Sequence, residues 1–301
     1  MKENKKDAFT GILPVFKEKG YTSNDVVAKL RGILKMRRTG HTGTLDPEAE
    51  GVLPVCLGRA TKAAGFLTDS DKTYRCVMRL GIATDTEDMT GKILRTSDCS
   101  ELDEERTEKA ILSFVGEYDQ IPPMYSAKKI NGKKLYELAR EGIEIERKPS
   151  RVFIRSISDI KVHITGEKCT AEFTVECSRG TYIRSLCRDI GDSLGCGGCM
   201  ESLIRTRACG IGADECITLS RIEELTAKGV IGEYVIPIDR FYRELGEIKV
   251  SGVEEKLVRN GNIIPVNDRE PGRYRVYLED GTFAALYDVK DGEARLCRMF
   301  L

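Results

Sequence analysis

Only two histidines, His41 and His163, occur in this chain of 301 residues. A histidine-centred triad or multi-histidine metal site is therefore disfavoured, and acid–base or nucleophilic work falls to carboxylates, tyrosines or thiols. One carboxylate stands out by its setting. In GHTGTLDPEAEGVLP (40–54), Asp46 lies between a Gly/Thr-rich approach and Pro47. An anionic aspartate fixed in such a loop could attack or stabilise an electron-poor centre without a metal. An Asp before Pro in a glycine-rich loop is also an ordinary turn residue, and the loop alone leaves both readings open. Its TGT resembles the motif of enzymes whose nucleophilic aspartate directly precedes K-T-G-T, but here Gly40 and His41 precede Thr42. No GxxxxGK[ST] phosphate loop is present either, so nucleotide hydrolysis lacks its motif. His41 reads either as a structural residue satisfied by local backbone or as a contact residue. His163, in the alternating stretch KVHIT, reads as a surface residue.

The eleven cysteines are scattered and odd in number, which suits reduced thiols acting as small core residues better than a disulfide framework. Cys196-x-x-Cys199 followed by Cys209 and Cys216 is a weak zinc pattern, because four-thiolate sites usually close with a second short pair. No metal and no cofactor are expected.

The loop is approached by a helix. Thr22-Ser23-Asn24-Asp25 supplies capping residues, and Val26, Val27, Leu30, Ile33 and Leu34 recur at helical spacing. Gly40, Gly43, Pro47 and Gly51 are expected to preclude a regular element, leaving Asp46 on a loop between helix and strand. TYRCVMRLG (73–81) alternates as a half-buried strand with Tyr74, Cys76, Met78 and Leu80 on one face. TDTEDMTGK reads as a turn. Helices are expected near 103–115 and 135–141, and strands near 151–164 and 170–177. SRG (178–180) leads into a helix whose core face is Ile183, Leu186, Cys187, Ile190 and Leu194. Tyr182 and Arg184 then fall in its first turn, on the side away from Ile183, where a ligand could reach them. Strands and helices without strict alternation indicate an α+β fold with a mixed, largely antiparallel sheet flanked by helices. Beyond residue 240, short alternating strands with Asp-Gly turns indicate a small β domain. The expected organisation is a main domain over 1–240 and an annex over 246–301.

With 48 basic and 48 acidic residues the formal charge is zero, which argues against polyanion binding by bulk charge alone. KLRGILKMRR (29–38) nevertheless carries five cations and SAKKINGKK (126–134) four, without an acid in either. Each alone reads as a solvated face, and two such blocks on either side of the Asp46 loop leave a solvated face and a nucleic-acid footprint equally open. The N-terminus MKENKKDAFTG has no apolar core of a leader, and no stretch approaches the roughly 18 apolar residues of a membrane span. A cytoplasmic protein is expected, and without a coiled coil or long apolar edge, a monomer.

GHTGTLDPEAEGVLPVCLGRATK, DKTYRCVMRLGIATDTEDMTG, IPPMYSAKKINGKKLYELAREG and CSRGTYIRSLCRDIGDSLGCGG together resemble the bacterial TruB family of tRNA pseudouridine synthases, in that family's order and spacing, over roughly residues 10–240. The tail resembles the short PUA-type RNA-binding domain of bacterial members, through its strand texture and VRNGN.

The resemblance implies a pseudouridine synthase-like catalytic domain that converts uridine 55 of the tRNA T-loop to pseudouridine, with tRNA as partner and no cofactor. It implies Asp46 as the catalytic carboxylate and Tyr74 as the tyrosine that packs on the base and could remove the C5 proton. Arg184 would pair with the carboxylate, keeping it ionised. Tyr182 would touch the target nucleotide, Leu203 would line the pocket, His41 would help hold the flipped RNA, and Lys17 and Lys62 would meet phosphates. Family members usually carry Lys-Pro where this chain has Lys17-Glu18. They carry an apolar and then a small residue where it has Glu48 and Glu50. A rival reading, a tRNA-binding or tRNA-folding protein without chemistry, would use the same basic surface and tail. RNA-guided modification within a ribonucleoprotein, as in archaeal and eukaryotic relatives, is disfavoured by the short tail.

Overall fold

The computed structural model describes residues 8–126, 128–130, 132–143, 145–165 and 168–301. The N-terminal MKENKKD lies outside them, as do Ala127 and Asn131 of the SAKKINGKK block. The chain divides into two compact units. One comprises residues up to Pro47, Val52–Thr68 and Cys209–Leu301, and the other comprises Glu48–Gly51 and Asp69–Ala208.

The second unit is organised about the strand Lys72–Leu80. Its alternation produces the expected two faces, with Tyr74, Cys76, Met78 and Leu80 buried and Arg75 exposed. It pairs antiparallel with Cys169–Cys177 on one side and Gly198–Ala208 on the other. Cys169–Cys177 pairs in turn with Ser150–Ile164, and that with Gly116–Gln120. Glu50 and Gly51 add a short parallel pairing to Ile204 and Arg205. The helix Ile183–Ser193 buries Ile183, Leu186, Cys187 and Ile190. Its Cys187 Sγ lies 3.5 Å from Cys76 Sγ, so the helix covers the sheet face that carries Tyr74. The expected helices appear as Glu104–Leu112 and Leu135–Arg140.

In the first unit, helix Ser23–Leu34 begins in a capping box. The Thr22 hydroxyl accepts from the Asp25 N–H at 3.1 Å, and the Asp25 carboxylate accepts from the Thr22 N–H at 2.8 Å. Val26, Val27, Leu30 and Leu34 pack into a cluster with Leu53, Val55 and Leu57. Glycine did not preclude regular structure as expected. Thr39–His41 forms a strand paired with Val55–Leu57, because neighbouring backbone supplies the ladder whatever the side chain.

Residues 246–301 build a five-stranded sheet with one helix, Gly252–Arg259, around a cluster including Val258, Val276, Tyr287 and Val289. Its Asp291-Gly292 turn has φ of 52° and 77° at the two residues, the left-handed pair that a tight hairpin requires.

Candidate active site

Asp46 is half-buried, and the residues on either side of it are tied down. Before it, the Leu45 N–H donates to the Ser23 hydroxyl at 2.8 Å, and that hydroxyl donates back to the Leu45 carbonyl at 3.2 Å. After it, the Pro47 carbonyl accepts from the Lys17 ammonium at 3.1 Å and from the Gly20 N–H at 2.9 Å. Thr42, further upstream, donates its N–H to the Pro54 carbonyl at 3.1 Å. The carboxylate thus stands on a loop whose direction is fixed by side-chain and backbone bonds rather than by a regular element.

Lys17 is the first correction. It was expected to meet phosphates, but it is fully buried, and its ammonium donates to the carbonyls of Tyr21 at 2.6 Å, Glu18 at 3.1 Å and Pro47. A buried ammonium needs such acceptors to offset its lost hydration, so Lys17 staples the loop from within. Lys62 is exposed, as a phosphate contact requires. His41 is half-buried, and its Nδ1 accepts from the Gly43 N–H at 3.3 Å, the local satisfaction that a structural role implies. Glu48 is exposed, while Glu18 and Glu50 are half-buried.

In the second unit Tyr74 stands opposite Val175 on one neighbouring strand and Arg205 on the other. Leu203 is opposite Cys76, which places Tyr74, Leu203 and Arg205 on one sheet face. All three are at most 8% exposed. Arg205 owes its place to Gly51, whose φ is 107°, and a Cβ there would come 2.2 Å from the Arg205 carbonyl oxygen. A side chain at position 51 would close the gap through which the two strands meet.

Arg184 is the second correction. It is 5% exposed rather than presented to solvent. Its guanidinium donates to the carbonyls of Thr86 at 3.0 Å and Tyr125 at 2.8 Å, and its Nε lies 3.9 Å from the Asp88 carboxylate. Asp88 in turn accepts from the Thr86 and Thr90 hydroxyls at 2.7 and 2.6 Å. The expected turn TDTEDMTGK is therefore the cradle of Arg184. Next to it Glu87, at φ 62°, accepts from the Ser185 hydroxyl at 2.6 Å and from the Arg188 guanidinium. Burial pushes the Glu87 carboxyl up, against the opposing pull of Arg188 and Ser185.

Tyr182 precedes the helix and is held by Gln120, whose Oε1 accepts from the Tyr182 N–H at 2.8 Å and whose Nε2 donates to the Tyr182 carbonyl at 3.0 Å. Sequence reasoning missed Gln120, Asp88 and Ser23. Asp88 was legible as one polar residue among several in a turn and Ser23 only as a capping candidate, whereas Gln120 gave no signal; the partners of Gln120 and Ser23 lie 62 and 22 residues away.

The cysteines are free thiols, nine of them buried. Cys196 Sγ donates to the Gly197 carbonyl at 3.3 Å, and Cys199 Sγ contacts Met89 Sδ at 3.4 Å. Among the described residues no group of three or more His, Cys, Asp or Glu side chains is arranged to hold a metal ion. No described helix is long and apolar enough to cross a membrane.

A carboxylate fixed on a tied-down loop can attack or stabilise an electron-poor carbon. The fold is shared with chains of two solved complexes. A chain of the structure described as "Crystal Structure of a Cbf5-Nop10-Gar1 Complex" superposes with a TM-score of 0.70 at 23% identity, covering 97% of this chain and 85% of that one. A chain of "Structure of H/ACA RNP bound to a substrate RNA containing 2'-deoxyuridine" gives 0.69 at 22% identity, covering 97% and 85%. At these identities the likeness is one of fold.

The family follows from sequence. The TruB family pseudouridylate synthase N-terminal domain matches residues 31–183, and the tRNA pseudouridylate synthase B C-terminal domain matches residues 184–241. Proteins named tRNA pseudouridine synthase B are similar along nearly the whole chain. That of Alkaliphilus oremlandii is 49% identical, covering 85% of this chain and 83% of its own. That of Lachnoclostridium phytofermentans is 46% identical (97% and 99%), and that of Bacillus subtilis 43% (92% of each). The chain belongs to the TruB family of pseudouridylate synthases.

Proposed function

We propose that this protein is a tRNA pseudouridine synthase that isomerises uridine 55 of the T-loop, and that it does so without cofactor or metal. The observation that carries the reading is the tethering of Asp46 on both sides, by Ser23 through Leu45 and by Lys17 through Pro47. A turn residue needs no such tethering, whereas a reacting carboxylate gains from a fixed direction. The relatives named tRNA pseudouridine synthase B support tRNA as the substrate.

In this reading the target uridine is flipped out of the T stem-loop, since its glycosidic bond is otherwise buried in stacked bases. Asp46 supplies the anion that labilises the N1–C1′ bond. The detached uracil turns and rejoins C1′ through C5, and the C5 proton leaves to a base, for which Tyr74 is the candidate. Arg184, held by the Thr86 and Tyr125 carbonyls, serves as the positioning cation. Tyr182 and Leu203 bound the base, His41 supports the flipped RNA, and Lys62 meets phosphate. Residues 246–301 serve as a PUA-like RNA-binding domain beside a catalytic domain over 1–240. The protein acts as a cytoplasmic monomer.

The test is incubation with unmodified tRNA and with an isolated T stem-loop, followed by pseudouridine detection by chemical adduct and reverse transcription. Product from wild type and none from Asp46→Asn, with RNA binding retained, is the expected result. Folded wild-type protein that binds but yields no product sinks the enzyme reading and leaves a tRNA-folding protein in its place.

A further inference from the structure

Two main-chain carbonyls aim the Arg184 guanidinium, and both come from irregular segments. Thr86 lies in the turn TDTEDMTGK, and Tyr125 lies in the stretch IPPMYS (121–126) beyond the strand Gly116–Gln120. Carbonyls on such segments hold a guanidinium only as steadily as the segments are themselves held. One side chain reaches both of them. Arg188 follows Arg184 by four positions on the helix Ile183–Ser193, so the two share a face one turn apart. Its Nη1 donates to the carboxylate of Glu87, the residue after Thr86, and its Nη2 donates to the Ile121 carbonyl at 3.1 Å, four residues before Tyr125. Nε and Nη2 also donate to the Asp189 carboxylate at 2.9 and 2.7 Å, a two-pronged contact that fixes the guanidinium itself.

Glu87 is the other half of the clamp. It is 7% exposed, its second carboxylate oxygen accepts from the Ser185 hydroxyl at 2.6 Å, and its main-chain carbonyl accepts from the Met200 N–H at 3.0 Å. Its φ of 62° is a left-handed conformation that a glutamate keeps only where its surroundings impose it. The turn is thus tied to the helix through the Glu87 side chain, and through the Glu87 backbone to the strand Gly198–Ala208, which carries Leu203.

We propose that Arg188, paired with Glu87, is a positioning residue for the isomerisation, holding the Thr86 turn and the Tyr125 segment at the spacing that aims Arg184. Arg188 touches neither base nor sugar in this role and acts through Arg184. Without it the two carbonyls lose their common anchor, and a displacement of about an ångström at an aiming group costs up to about a hundredfold in rate. This inference rests on the reading of Arg184 given above.

The test measures single-turnover rates, Kd for unmodified tRNA and thermal melting. It uses wild type, Arg188→Met, Glu87→Gln/Arg188→Met, Arg184→Lys and Arg184→Lys/Arg188→Met. Arg188→Met is expected to slow turnover by about ten- to a hundredfold with Kd unchanged. Glu87→Gln/Arg188→Met leaves no buried carboxylate without its cation, so its melting temperature should return toward wild type while its rate stays low. A rate that recovers together with stability marks Arg188 as merely structural and overturns the proposal. Because Arg188 acts through Arg184, adding Arg188→Met to Arg184→Lys should slow the reaction by no more than about a further twofold. An equal loss in both backgrounds overturns the proposal. A slow Arg184→Lys beside an unimpaired Arg188→Met rejects this proposal alone. An unimpaired Arg184→Lys, or a wild type without product, rejects the reading on which it rests and this proposal with it.

Discussion

Gln120 grips the backbone of Tyr182 by both its N–H and its carbonyl, at 2.8 and 3.0 Å, from a position 1% exposed at the end of a strand. Tyr182 is the last residue before the helix that carries Arg184, so this one amide sets where that helix begins. Gln120→Ala removes both of these bonds, although the Tyr182 carbonyl still accepts from the Leu186 N–H at 3.0 Å, and the loss costs about 1–3 kcal/mol. It should also lower kcat more than it raises KM. Thermal melting and single-turnover kinetics check both, and an unchanged kcat would mean that the helix start is fixed by other contacts.

Lys17 and Lys62 separate two roles that look alike in sequence. Lys17→Met removes donors from three carbonyls and should destabilise by about 1–3 kcal/mol, with turnover reduced and the salt dependence of tRNA binding unaltered. Lys62→Ala should do the reverse, keeping the melting temperature and reducing the slope of log Kd against log salt by about one. A shallower slope for Lys17→Met would return it to the phosphate contacts.

Gly51→Ala tests the close approach at the foot of the loop. The left-handed φ and the 2.2 Å contact with the Arg205 carbonyl act together, so a loss of more than about 2 kcal/mol is expected. Urea unfolding measures it, and a near-neutral substitution would show that the two strands can separate freely.

Glu87 should leave a pH signature. Burial raises its carboxyl above the ordinary glutamate value, so the folded state holds the proton more tightly than the unfolded chain. The stability linked to this group is fully present below the unfolded value and is lost as pH rises through the raised folded one. Glu87→Gln should therefore match wild type in acid and become relatively more stable as pH climbs through that window. Melting temperatures of the two proteins measured across that range would expose an opposite trend, which would mean that Arg188 holds the charge more strongly than burial opposes it.

Much of the arrangement was readable along the chain, because it depends on local periodicity. The alternation of Tyr74, Cys76, Met78 and Leu80 defined a strand and its buried face, the Thr22–Asp25 pair marked a helix start, and Asp291-Gly292 marked a hairpin. The unusual setting of Asp46 was equally visible, and the four long motifs around it pointed to the family. What the chain could not disclose was the use made of ordinary residues by partners far away in sequence. Lys17 read as a surface cation and is a buried staple, Arg184 read as accessible and is cradled by the Thr86 and Tyr125 carbonyls, and Gln120 gave no signal. A side chain's burial and hydrogen-bond partners depend on which distant backbone groups arrive beside it, and only the tertiary structure decides that.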